Sequence, residues 1–144
     1  MKKKNVCILV LLAALFAACS DSDIVIDPTD LPPSETQKIL VLCEGSMDHN
    51  NSTLAFYDLK SKTTDLDYFT TVNKRGLGDT ANDMIKYGSK IYIVVNESGT
   101  IEVIDAATGK SLQQIEMKIE TAEGEKISKQ PRYAAAYGGK VYVT

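Results

Sequence analysis

One nine-residue segment of this chain is written twice. Lys86-Tyr87-Gly88-Ser89-Lys90-Ile91-Tyr92-Ile93-Val94 returns as Ala136-Tyr137-Gly138-Gly139-Lys140-Val141-Tyr142-Val143-Thr144, with an offset of 50 at every position. A shorter copy, Ile39-Leu40-Val41-Leu42, stands 52 residues before Ile91-Tyr92-Ile93-Val94. Asp58, after Leu54-Ala55-Phe56-Tyr57, answers to Asp105, after Ile101-Glu102-Val103-Ile104. A period of about 50 residues means stacked units of supersecondary structure, each too small to bury its own apolar faces.

The full repeat predicts four short strands. They cover residues 83–87 (A), 90–95 (B), 100–105 (C) and 112–117 (D), each rich in β-branched or aromatic residues. Strand B is apolar on both faces, as a strand covered on two sides must be. Gly88-Ser89 and Thr108-Gly109 supply the A–B and C–D turns. No segment has the 3.6-residue periodicity of a helix, and Tyr133-Ala134-Ala135-Ala136-Tyr137 aligns with strand A. Four antiparallel strands repeated at this spacing predict an all-β fold, a β-propeller.

Blade one takes residues 39–72 and holds strands B, C and D. Blade two takes 82–117, and blade three begins at 132–144 with strands A and B. A ring of four to eight blades needs roughly 16–32 strands, more than this segment supplies. The expectation is therefore an N-terminal fragment of about two and a half blades, which alone would leave open sheet edges that favour aggregation.

The start of the chain obeys a different pattern. Three Lys at 2–4 precede an apolar run at 6–18, too short for the roughly 20 residues that span a bilayer. Leu15-Phe16-Ala17-Ala18-Cys19 looks like a bacterial lipobox, so residues 1–18 are expected to be a lipoprotein signal peptide and Cys19 the lipidated residue. Residues 19–38 then form a lipid-anchored disordered tether, acidic and Pro-rich. Ser20-Asp21-Ser22-Asp23 resembles the acidic export signal of surface lipoproteins in Bacteroides-type bacteria, and it reads equally as a solvated linker.

Without residues 1–18 the net charge falls from −3 to −6, because three Lys leave with them. An acidic exported chain lacks the basic footprint that nucleic acid requires. With Cys7 in the signal and Cys19 lipidated, Cys43 stands alone, which excludes an intrachain disulfide in the mature form. Cys43 follows Ile39-Leu40-Val41-Leu42 and is expected to be buried as a small apolar residue.

Strands in a blade alternate direction, so tight A–B and C–D turns share one face and the B–C and D–A connections share the other. The long connections, at 44–52, 72–82 and 118–130, all fall on the second face. Long loops on one side of a rigid scaffold are where binding groups collect. The candidates there are Glu44, Asp48, His49, Asn50, Asn51, Arg75, Asp79, Thr80, Asn82, Asn96 and Arg132. They mix donors and acceptors, as a site for a polar organic molecule does. Arg75, between Lys74 and Gly76, is the first choice for a phosphate or carboxylate contact, and Asp79 is its nearest counter-charge in the loop. For Asp58, Asp83 and Asp105, turn capping is the better reading.

Catalytic chemistry is sparse. His49 is the only His, so a His-based zinc site or a Cys–His dyad would be partial. Gly76-Leu77-Gly78 lacks the strand-to-helix setting of a phosphate loop. No catalytic residue, metal ligand set or cofactor is assigned. The chain is not expected to be an enzyme.

Residues 91–96, then Ile101-Glu102-Val103-Ile104-Asp105-Ala106-Ala107-Thr108-Gly109-Lys110, Pro131 and Val141-Tyr142-Val143-Thr144 resemble the YVTN type of propeller repeat. The likeness covers residues 39–144. Asn73-Lys74-Arg75-Gly76-Leu77-Gly78-Asp79-Thr80-Ala81-Asn82-Asp83-Met84 and the strand after it, with the lipobox, resemble surface propeller lipoproteins of Bacteroides that bind vitamin B12. That resemblance implies a seven-bladed ring, corrinoid capture at the cell surface, and transfer to a TonB-dependent outer-membrane transporter. It places the chain at the outer membrane. On this reading Arg75 or Arg132 would meet the corrinoid phosphate, and Asn82 and Asn96 its amides. Two alternatives stand beside it. One is a metal-dependent hydrolase or lyase drawing on Asp83 and Glu44, and the other is a purely protein-binding surface propeller.

Overall fold

The computed structural model of the chain describes residues 38–144. The signal peptide, Cys19 and the tether up to residue 37 lie outside the described residues. The first blade is a three-stranded antiparallel sheet of β1 (Lys38–Cys43), β2 (Thr53–Asp58) and β3 (Thr64–Asp65), in that order. It holds strands B, C and D, as expected, with D cut to two residues. The second blade is complete: β4 (Ala81–Tyr87), β5 (Lys90–Val95), β6 (Thr100–Asp105) and β7 (Ser111–Glu116) pair in sequence order. β5 and β6 occupy the expected residues, β4 starts two residues earlier than expected, and β7 is shifted by one. The third unit is the hairpin of β10 (Ala134–Tyr137) and β11 (Lys140–Val143). The chain is all-β and propeller-like, and among the described residues no sheet closes on itself.

Three expectations change. First, α1 (Tyr68–Asn73) is a short helix where a strand end and loop were expected. Tyr68-Phe69-Thr70-Thr71-Val72 has β propensity, but tertiary packing overrides it. Phe69 is fully buried between the blades, and Tyr68 stacks on Phe56 with ring centroids 4.9 Å apart. Lys74 ends the helix in the left-handed region at φ 59°. Second, the expected loop at 118–130 contains a hairpin of β8 (Lys118–Glu120) and β9 (Lys126–Ser128). Third, Cys43 is exposed. Its repeat equivalent Val95 is fully buried because blade one covers it, whereas among the described residues no sheet covers that side of β1.

The core lies between blades. Alternation along β5 sends Ile91, Ile93 and Val95 to one face, where Leu40, Leu42 and Leu54 of blade one meet them. Val94 turns to the other face with Ile101 and Val103, against Ala134 and Val143 of the third unit. Both faces of β5 are covered, which is why the strand carries no polar alternation.

Candidate ligand-binding face

The loops expected on one face converge there and are hydrogen-bonded into a platform. Ser52 at the end of the β1–β2 loop donates its hydroxyl to the Glu44 carbonyl at 2.6 Å and accepts the Ala81 N–H at 2.9 Å. Its own N–H reaches the Gly78 carbonyl at 3.1 Å. Asp79 accepts the Asn50 N–H at 3.1 Å and the Thr80 hydroxyl at 2.8 Å, while its N–H donates to Ser98 Oγ at 2.8 Å. Asn96 donates its N–H to the Thr80 carbonyl at 2.8 Å and its amide Nδ2 to the Pro131 carbonyl at 2.9 Å. Ser128 Oγ closes the set on the Asn96 carbonyl at 2.6 Å.

This packing explains Gly78. Its φ is +134°, and a Cβ there would stand 2.6 Å from Ser98 Oγ and 2.8 Å from Val95 Cγ1. Thr80 and Gln130, 50 residues apart, both adopt the left-handed region just before strand A, at φ 59° and 51°. Two dissimilar residues thus hold one backbone position of the repeat. A β-branched Thr there is strained by roughly 1–3 kcal/mol, which the Asn96 N–H and the Asp79 carboxylate help to offset.

The predicted site residues separate into groups. Asp79, Thr80 and Asn96 lie together in the platform, and Thr80 and Asn96 are buried. Glu44 and His49 are exposed in the β1–β2 loop, where His49 Nδ1 lies 2.8 Å from the Met47 carbonyl. Arg132 is exposed at the start of the third unit, and its N–H bonds the Thr144 carbonyl at 2.7 Å. Asn82 sits in the bulge between Ala81 and Asp83 at the head of β4. Its Oδ1 is buried and has no hydrogen-bond partner among the described residues.

Arg75 departs from its expected place. Its guanidinium is held against the outer strands of blade two, where one nitrogen bonds both oxygens of Glu102 at 2.8 and 2.9 Å and Ser111 Oγ at 3.0 Å. It also lies 5.0 Å over the Phe69 ring. Asp79 therefore is not its counter-charge. Glu102 is fully buried and also accepts from Ser111 Oγ and Gln114 Nε2. The sequence reading missed Glu102, although a lone acidic residue in the apolar run Ile101-Glu102-Val103-Ile104 was a visible signal for a buried partner.

The opposite face consists of tight turns. Asp58 accepts the N–H groups of Lys60 and Ser61, and Asp105 accepts those of Ala107 and Thr108 and the Thr108 hydroxyl. The capping geometry agrees with the turn reading for both. Hydrogen bonds from Thr108 hold the Asp105 carboxyl below its ordinary value of 3.8. A carboxyl depressed in the fold contributes stability above its unfolded pKa, and that contribution is lost as pH falls through the folded value. Acidification below about pH 3.8 should therefore loosen the β6–β7 turn. Amide exchange at Thr108 in wild type should rise on acidification relative to Asp105→Asn, after correction for intrinsic exchange. Equal pH profiles would count against the cap.

Among the described residues, no group of three His, Cys, Asp or Glu is placed to hold a metal ion. Fold and loop face together define an all-β repeat protein with a polar platform on one side of stacked blades. Residues 37–126 match the family model described as a domain of unknown function, DUF5074, and the chain belongs to that family. The match runs from the start of blade one through the whole of blade two. No curated protein matches the chain.

Proposed function

We propose that this protein is a non-catalytic, lipid-anchored binding protein of the cell surface. On this reading its loop face captures a corrinoid such as vitamin B12 and passes it to a TonB-dependent outer-membrane transporter. The observation that carries the reading is the joining of the loops at 44–52, 76–80, 96–99 and 128–131 into one platform, opposite a face of tight turns. A corrinoid offers amides, a phosphate and a broad apolar ring, which call for scattered polar groups on a rigid surface. The exposed Arg132 is suited to the phosphate. The resemblance to YVTN-type B12-binding lipoproteins and the Cys19 lipobox supply the ligand class and the location.

Calorimetry with cyanocobalamin tests this. Wild type should bind, and Arg132→Ala should weaken binding by roughly ten- to a hundredfold, the loss of one charge-assisted bond. Arg75, spent on Glu102, is no longer the variant of choice. No binding by the wild type would end the corrinoid reading and leave the fold and family in place.

A further inference from the structure

The turn face and the loop face differ in charge as well as in loop length. Strand B opens on a Lys in every unit: Lys38 in β1, Lys90 in β5 and Lys140 in β11. Each lies at the tight-turn end of its sheet, since Lys38 pairs with Asp58, Lys90 with Asp105 and Lys140 with Tyr137. The turns add more cations. Lys60 and Lys62 stand between β2 and β3, Lys86 near the end of β4, and Lys110 between β6 and β7. All of these lysines are exposed, and none forms an ion pair among the described residues.

The acidic groups at this end are held differently. Asp58 and Asp105 are half-buried, and their carboxylates accept N–H groups of their own turns. Asp65 and Asp67 are half-buried as well, and Asp65 accepts the Asp67 N–H at 3.0 Å. The exposed carboxylates Glu44, Asp48, Glu116, Glu120, Glu123 and Glu125 lie toward the loop face, interspersed there with Lys126, Lys129 and Arg132. A recess of about 250 Å³ opens on the turn face between the two turns of blade two, lined by Lys86, Gly88, Ser89, Asp105, Ala106 and Ala107. Lys38 Nζ, 2.8 Å from the Ala107 carbonyl, brings a second cation to its rim.

We propose that the turn face docks on a membrane surface of anionic phosphate headgroups, which turns the loop face away from the bilayer. The proposal rests on the reading that Cys19 carries a lipid anchor. Charge complementarity names the occupant: exposed lysines, unopposed by exposed carboxylates, meet a layer of phosphates as point charges. The path of the chain agrees, because the segment that contains Cys19 joins the fold at Lys38, on this same face. An anchor on that side holds the lysines within reach of headgroups, where screening is weakest.

The test is lysine acetylation, read residue by residue by mass spectrometry, on the full lipoprotein mixed with vesicles of phosphatidylglycerol or of phosphatidylcholine. Lys86, Lys90 and Lys110 should react about fivefold more slowly on phosphatidylglycerol, the factor expected for one lysine at an anionic surface. Lys126 and Lys129, toward the loop face, should react alike on both lipids. The protection should fade at about 1 M salt, where the screening length is roughly 3 Å. The variant Lys90→Glu/Lys110→Glu, changed only at exposed side chains, should lose the protection at Lys86. Flotation separates this proposal from the anchor. A wild type that does not float with phosphatidylcholine vesicles lacks a working anchor, and the docking is then read from flotation with phosphatidylglycerol vesicles at low salt, which the double variant should lose. Equal acetylation on the two lipids would overturn the docking. So would equal slowing on both faces, which marks a general surface potential without orientation, retained protection of Lys86 in the double variant, or flotation with neither lipid.

Discussion

Replacing Arg75 with Ala should destabilise blade two by about 2–3 kcal/mol, because it leaves the Glu102 carboxylate buried without its cation. The carboxylate is fully buried, and the Arg75 side chain is 40% exposed. That partial exposure places the loss below the largest values for fully buried pairs. Ser111 Oγ and Gln114 Nε2 would still donate to Glu102, which limits the loss further. The double variant Arg75→Ala/Glu102→Leu should recover much of the stability, since an apolar side chain in the same space has no desolvation cost to offset. Urea midpoints of the two single variants and the double variant check this as a cycle. A double variant no more stable than Arg75→Ala would mean that the pair contributes through packing of Arg75 over Phe69 rather than through charge. On the proposed reading of the loop face, cyanocobalamin affinity should change little in Arg75→Ala so long as the platform stays folded, because Arg75 lies against Glu102 and not in the platform.

A comparably large effect should separate two residues that the repeat makes equivalent. Ile93→Ala should cost about 2–5 kcal/mol, the range for emptying a filled core position. Val41→Ala, 52 residues earlier, should stay within about 0.5 kcal/mol, as surface substitutions do. Ile93 is fully buried against Leu42 and Leu54, and Val41 is half exposed. Both are apolar and both sit in strand B of their blade. Urea denaturation at low protein concentration measures the difference. Similar losses at the two positions would mean that the Val41 side of β1 is covered.

The expected strands at 90–95 and 100–105 match β5 and β6 because their information is local: β-branched residues, turn glycines and a repeat that states the pattern twice. The grouping of the loops on one face also followed from local information, since strand direction alternates whatever the side chains are. Arg75 shows where this stops. Its neighbours in sequence, Gly76 and Asp79, suggested a loop cation paired within the loop. Its partner lies 27 residues away on β6, and nothing local names it. Thr80 and Asn96 were legible as polar loop residues but not as buried ones, because their burial comes from the meeting of loops.

The sequence alone determined the period, the four strands of blade two and the face on which the loops emerge, because each depends on residue order and on the twofold alternation of strands. The tertiary structure decided the rest. It turned Tyr68–Asn73 into a helix by packing Phe69 between the blades, and gave Arg75 to Glu102. It also left Val41 and Cys43 open where Ile93 and Val95 are closed. The physical reason is common to all three. Burial depends on what stands across the interface, and a residue's own neighbours in the chain do not record it.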